Sequence, residues 1–478
     1  MSEYELYDNP LVTRYASREM SALFSPQRKH STWRRLWLAL AEAQQELGLP
    51  ISDAQLAEMR AHLDDIDFAE AERLEATLRH DVVAHIHAFA AQCPAAKPII
   101  HLGATSCFVT DNADLIAMRD GLALLRAKLV NVLDALASFA REHRARVTLG
   151  FTHFQPAQPT TVGKRATLWL YDFLLDYQEA ARLIAWLPFR GAKGTTGTQD
   201  SFLELFGGSH AKVRRLDALV AAKMGFKTTV PVCGQTYSRK IDSTILNALV
   251  GIAQSAAKMA NDVRLLQHLQ ELEEPFEKTQ VGSSAMPHKR NPMRCERIGS
   301  LARHLIATAL TAPLTAATQW LERTLDDSAG RRIAIPEAFL AADAILALCL
   351  NLARGLVVHP RVIAARLRRE LPFMATERIL MAAVKAGGDR QALHERLRTH
   401  AWEARRRVNE EGLDNDLLER LKADPAFAAV RDQIDGFARA DRLAGRAPQQ
   451  TDEFLRRVVQ PILQREAPLL GLAAKLNR

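Results

Sequence analysis

The chain has 478 residues, 48% of them hydrophobic, which is enough to fill a sizeable core and excludes a disordered polypeptide as the starting point. Its 63 Lys and Arg residues against 55 Asp and Glu leave a net charge of +8, a balance that favours an anionic partner: a nucleotide, a nucleic acid or a polycarboxylate. Basic and acidic residues are interspersed, as in Arg366-Leu367-Arg368-Arg369-Glu370, so most belong to solvated helix faces, and a contiguous nucleic-acid-binding surface or basic scaffold is disfavoured.

The N-terminus, Met1-Ser2-Glu3-Tyr4-Glu5, is acidic and lacks the apolar run of a signal peptide, and no later apolar stretch reads as long enough to span a bilayer. Cys93, Cys107, Cys233, Cys295 and Cys349 are far apart and form no C-x-x-C pair; reduced thiols and a cytoplasmic location are expected. From Ser31 onward Trp33, Leu36, Trp37 and Leu40 recur at helical intervals until Gly48-Leu49-Pro50. Ser52-Asp53-Ala54-Gln55 and Asp67-Phe68-Ala69-Glu70 are further helix starts. In Arg79-His80-Asp81-Val82-Val83-Ala84-His85-Ile86-His87 a helix would place His80, Ala84 and His87 on one face and Asp81 and His85 on another. No pair of histidines has the i, i+4 spacing of a zinc helix, and no metal is expected.

His101-Leu102-Gly103-Ala104-Thr105-Ser106 breaks the pattern before Asp111-Asn112-Ala113-Asp114 starts a long helix through Ala140. Thr148 to Pro159, with His153, is the next break, followed by a helical pattern through Leu168, Tyr171, Leu175 and Arg182. Arg190 to Thr198 is glycine-rich but lacks the Gly-x4-Gly-Lys-Ser/Thr spacing, so a nucleoside triphosphatase has little support. Asp242 to Leu272 reads as the longest helix, about 45 Å if unbroken, apolar on several sides as in a long-helix bundle.

Val281-Gly282-Ser283-Ser284-Ala285-Met286-Pro287-His288-Lys289-Arg290-Asn291-Pro292 suits neither helix nor strand. It reads as a surface loop that carries two hydroxyls, an ammonium, a guanidinium and a carboxamide. Cys295 to Thr311 and Pro336 to Leu356 are two more helices, and Val357-Val358-His359-Pro360 marks the last domain boundary. The remainder is helical in character, and the class is all-α.

The ordered spacing Gly-Ser-Ser-x-Met-Pro-x-Lys-x-Asn-Pro resembles the signature loop of the fumarase/aspartase superfamily. Arg14-Tyr15-Ala16-Ser17, Arg79-His80-Asp81, His101 to Ser106, Thr148 to Gln158, Lys193 to Gln199, Gly234-Gln235-Thr236, Glu322 to Ser328, Leu371 to Glu377 and Gly445 to Gln450 are similar to the adenylosuccinate lyase family over nearly the whole chain. That resemblance implies a three-domain fold (1–106, 107–358, 359–478) with a central long-helix bundle, a homotetramer with sites shared between subunits, and no cofactor. It also implies β-elimination of fumarate from adenylosuccinate or the succinylated aminoimidazole carboxamide ribotide, with the signature loop alone equally suited to a relative such as an argininosuccinate lyase.

On the same basis Ser283 is the implied base, His153 the acid, Glu296 the partner that orients its imidazole, and Lys289 with Asn291 the stabilisers of the aci-carboxylate. Arg14, Tyr15, Arg323, Ser328 and Arg332 correspond to nucleotide anchors. Arg79, His80, Asp81, Thr105, Ser106, Gln235 and Arg297 correspond to other substrate contacts. The chain departs from the animal members at His288, where they commonly have Tyr, and at Gly330, where they have Asn.

Overall fold

The computed structural model describes residues 5–474 and 476; Met1 to Tyr4, most of the acidic N-terminal stretch, lie outside the described residues. The first long helix, α1 (Pro26–Glu46), begins before the expected Ser31. The Ser25 hydroxyl accepts from the Arg28 N–H at 3.2 Å, and Pro26 sits in the first turn, where its missing donor costs nothing. Gly48, at φ 94, ends it as read. Ser52 with Gln55 forms a capping box for Asp53–Ala61, and Asp67 caps Phe68–Leu78, both as expected. Arg79 turns the chain at φ 54 into α2 (Asp81–Gln92), which His80 caps by accepting from the Val83 N–H.

The longest helix is α3 (Ser106–Glu142, 37 residues), not the segment at 242–272. Asp111 and Asn112, read as a helix start, are interior and fully buried. Asp111 pairs with Arg239, and the Asn112 amide donates to the Gly191 carbonyl. Tertiary partners thus satisfy polar groups that sequence reasoning assigns to a cap.

The break at Thr148–Pro159 is a β-hairpin, β1 (Val147–Thr152) and β2 (Gln155–Thr161), which the all-α reading left out. Gly150 forms a bulge in it, because a Cβ there would lie 2.4 Å from the Gln158 carbonyl oxygen. The hairpin leads into α4 (Val162–Trp186).

Helix α5 (Lys240–His268) stops short of Leu272 because Gln270 takes φ 59 and the Glu271 N–H bonds back to the Leu266 carbonyl. Leu272–Glu273 (β3) then pairs antiparallel with Val357–Val358 (β4). Between them lie α6 (Met293–Ala309) and α7 (Asp327–Gly355). Glu274 starts α6 by accepting from the Arg294 and Cys295 N–H groups at 3.0 Å. Helix α7 begins at Asp327 and carries the expected start, Pro336, inside it. An interior proline costs about 3 kcal/mol. Burial of Ile335, Phe339, Leu340, Ile345 and Leu346 along the same helix, at roughly 1.5–3 kcal/mol each, outweighs it.

By length and apolar composition α7 could cross a membrane, contrary to the sequence reading, but 78% of its apolar stretch is buried inside the protein. It packs against α3, α5 and α6, while α3 and α4 pair along their length. One buried cluster runs from Leu11 to Leu371 and takes in Leu455, Val459 and Ile462; a second is confined to Ala375–Ile434.

Candidate active site

Three helices begin at one cavity of about 860 Å³. The first residues of α2 (Asp81), α3 (Ser106) and α7 (Asp327, Ser328) line it together. A helix N-terminus carries partial positive charge and unsatisfied N–H groups, so three of them converging make a concavity suited to an anion. The walls also hold Arg79, His80, Gln235, Arg323 and Arg332, from segments far apart in the chain.

The polar network connects these segments directly. Arg332 on α7 donates to the Asp81 carboxylate at 3.0 Å. Burial alone would raise the Asp81 pKa, but the Val82 N–H and the charges of Arg332 and Lys29 hold it below the usual carboxylate range. Gln235 donates to the Thr105 hydroxyl at 3.2 Å, and the Ser106 hydroxyl lies 3.4 Å from His80 Nε2. Gly234 makes room for this: a Cβ there would lie 2.5 Å from the Glu322 carbonyl oxygen, which accepts from the Gln235 N–H at 2.9 Å. The Gln235 carbonyl is gripped in turn by the fully buried Arg190 at 2.8 and 2.5 Å.

Part of the lining is a largely buried charge lattice that sequence reasoning missed. Arg239 donates to Asp111 at 3.0 Å and to Asp327 at 2.7 Å; Arg331 pairs with Asp242 at 2.7 Å and Asp114 at 2.9 Å and donates to the Tyr237 hydroxyl. Asp327 is the first residue of α7, so the lattice fixes the helix end that carries Ser328 and Arg332. Lys29 and His30 also line the cavity unforeseen. The only signal for them is their position just ahead of the Trp33 stripe.

The signature loop lies apart from this cavity's lining. Its neck is closed: the Asn291 amide donates to the Gly282 carbonyl at 2.8 Å, and a Cβ on Gly282 would lie 2.2 Å from the Lys289 carbonyl oxygen. Its tip is exposed, including His288, Lys289 and Arg290. The Ser283 hydroxyl accepts from the N–H groups of Met286 at 3.1 Å and Ala285 at 3.3 Å. Two donors aimed at one oxygen stabilise negative charge on it. Glu296 is exposed in the first turn of α6, and Arg297 sits over the Tyr15 ring at 5.4 Å, next to the exposed Arg14.

His153 occupies a third place. With Phe154 it forms the two-residue turn of the hairpin, at φ 52 and 58, a left-handed pair that normally calls for Asn or Gly. It is exposed, and among the described residues no hydrogen bond or ion pair joins it to Glu296 or Ser283. One chain therefore gathers Arg79, His80, Asp81, Ser106, Gln235, Arg323, Ser328 and Arg332 at one cavity, with Thr105 bonded to its rim. It leaves the loop group and His153 elsewhere.

Residues 38–306 match the family model described as Lyase, and residues 372–454 match the one described as Adenylosuccinate lyase C-terminus. The chain is 54% identical to the adenylosuccinate lyase of Saccharomyces cerevisiae over 467 residues, 97% of each chain. It is 49% identical to that of Schistosoma mansoni over the full length of both. Among solved structures it resembles a fumarate lyase from Mesorhizobium sp. BNC1 with a TM-score of 0.79 at 24% identity, covering 94% of this chain and 99% of that one, which shows a shared fold.

Proposed function

The chain belongs to the adenylosuccinate lyase family, and on that premise we propose that its cavity binds succinylated purine nucleotides and the chain eliminates fumarate from them. It is a carbon–nitrogen lyase of purine biosynthesis, with adenylosuccinate giving AMP and the succinylated aminoimidazole carboxamide ribotide giving the free carboxamide. The observation that carries the substrate reading is the convergence of three helix N-termini with Arg79, Arg323 and Arg332 on one cavity, which suits a phosphorylated, polyanionic ligand.

In the elimination, the Ser283 oxygen takes the proton from the carbon next to the one that bears nitrogen. The C–H electrons form the new double bond, the C–N electrons pass to nitrogen, and His153 supplies the proton that nitrogen needs to leave. The two N–H donors on Ser283 support an alkoxide there. Lys289 and Asn291 face the carboxylate as it becomes an aci-dianion, and Glu296 orients His153. Arg14, Tyr15, Arg323, Ser328 and Arg332 hold the nucleotide, and Arg79, His80, Asp81, Thr105, Ser106, Gln235 and Arg297 hold the rest.

These groups meet when subunits assemble. We infer a homotetramer in the cytoplasm with shared sites, and parts spanning 1–106, 107–358 and 359–478. Supporting it, α4 leaves Leu168, Tyr171 and Leu175 about half exposed at helical spacing, an apolar stripe that a neighbour would bury. The test is fumarate release from adenylosuccinate and from argininosuccinate at pH 7 to 8. A folded tetramer that releases none from adenylosuccinate overturns the assignment.

A further inference from the structure

Seven lysine and arginine residues line the cavity: Arg28, Lys29, Arg79, Arg239, Arg323, Arg331 and Arg332. Five are committed to carboxylates, Arg28 to Asp120, Arg239 to Asp111 and Asp327, Arg323 to Asp327, Arg331 to Asp114 and Asp242, and Arg332 to Asp81. Among the described residues Arg79 and Lys29 have no carboxylate within ion-pair distance. Family correspondence assigns Arg79 to the substrate; it assigns nothing to Lys29.

We propose that Lys29 is a further substrate anchor, binding the phosphate of the nucleotide together with Arg332; this rests on the nucleotide reading above. Lys29 lies near the start of α1, half-buried, with its ammonium 4.8 Å from the centre of the Trp33 ring. Trp33 is completely buried and boxed edge-on by His30 at 4.7 Å and His85 at 5.5 Å, so the cation rests on an immobile platform. A ring holds an ammonium without neutralising it, and the charge stays available to a ligand.

The counter-charges near Lys29, Asp114, Asp81 and Glu75, lie beyond ion-pair distance and raise its pKa, against two stronger causes that lower it. Burial lowers the Lys29 pKa, and the next cause is repulsion from Arg332. Burial takes His30 down to about 3 and His85 to about 4, so the stacked pair adds no charge at neutral pH. A dianion between Lys29 and Arg332 relieves both the desolvation and the repulsion. A phosphate at the first turn of α7, beside Ser328, supplies two negative charges from one compact group.

The experiment compares AMP with adenosine, which differ only in the phosphate, by titration calorimetry on the full-length chain. Lys29→Gln is expected to weaken AMP by at least about tenfold, the loss of one charge-assisted bond, and adenosine by less than about twofold; Lys29→Arg is expected to recover most of the AMP affinity. Unchanged AMP affinity in Lys29→Gln, or equal losses for AMP and adenosine, overturns the proposal; equal losses would mark a structural role, and no loss for either a contact outside the AMP part of the substrate. Fumarate release by the wild type is scored separately. A chain that needs Lys29 to prefer AMP but releases no fumarate keeps this inference and loses the lyase reading.

Discussion

Arg332 and Asp81, 251 positions apart, meet at 3.0 Å and tie the N-terminal ends of α7 and α2 together in the wall of the cavity. The Arg332 side chain is 59% exposed, so solvent screens the pair and it adds at most about 1 kcal/mol to stability. Its value lies in holding a guanidinium where a substrate anion arrives. Asp81→Asn is expected to raise KM for adenylosuccinate by about tenfold while the melting temperature moves by only a few degrees. A large melting shift with an unchanged KM would make the pair a structural clamp.

His153 and Ser283 do not touch within one chain, yet the proposed elimination needs both. His153→Ala and Ser283→Ala are each expected to lose turnover by at least about a hundredfold. Refolding the two inactive variants together should restore part of the activity, because some sites in mixed tetramers receive an intact residue from each subunit. Failure of the mixture to regain activity, with tetramers formed, counts against the shared site.

Arg239 bridges Asp111 and Asp327 in a fully buried setting. Removing one partner from such a lattice leaves uncompensated charge, which costs about 3–5 kcal/mol, far more than an exposed pair. Arg239→Ala should therefore lower the thermal midpoint strongly. A loss below about 1 kcal/mol would show that water fills the space and that the lattice is not what holds α7 in place.

Asp176, nearly buried on α4, has its pKa pushed up to about 7, chiefly by burial. Its folded value lies above its unfolded value, so its contribution is most favourable below about pH 4. That contribution is lost as pH rises towards 7, because the unfolded chain releases this proton first. Asp176→Asn should remove the decline, by up to about 4 kcal/mol between pH 4 and pH 8. Denaturant midpoints of both proteins across that range check it; parallel curves would mean that Asp176 titrates as an ordinary carboxylate.

Helix periodicity made the bundle legible, since apolar residues at intervals of three and four pack the same way wherever the helix sits. Ordered motifs such as Gly282-Ser283-Ser284 and Arg79-His80-Asp81 made the reaction class legible through their resemblance to a known family, where composition alone would leave the loop a solvated linker. Boundaries were less readable. Asp111 and Asn112 look like a cap but are buried partners of Arg239 and Gly191, and Pro336 looks like a helix start but lies inside α7. Local signals compete there with partners that only the folded chain supplies.

The sequence by itself determined a helical chain of the lyase family, and its resemblance to that family supplied the proposed nucleotide anchors. Only the tertiary structure decided which anchors share a cavity, because that depends on how α2, α3 and α7 aim their first turns. It also showed that, among the described residues lining the cavity, Lys29 and Arg79 lack the ion-pair partners that the other cations have. An ion pair is a matter of a few ångströms between residues hundreds of positions apart, and no spacing along the chain encodes that distance.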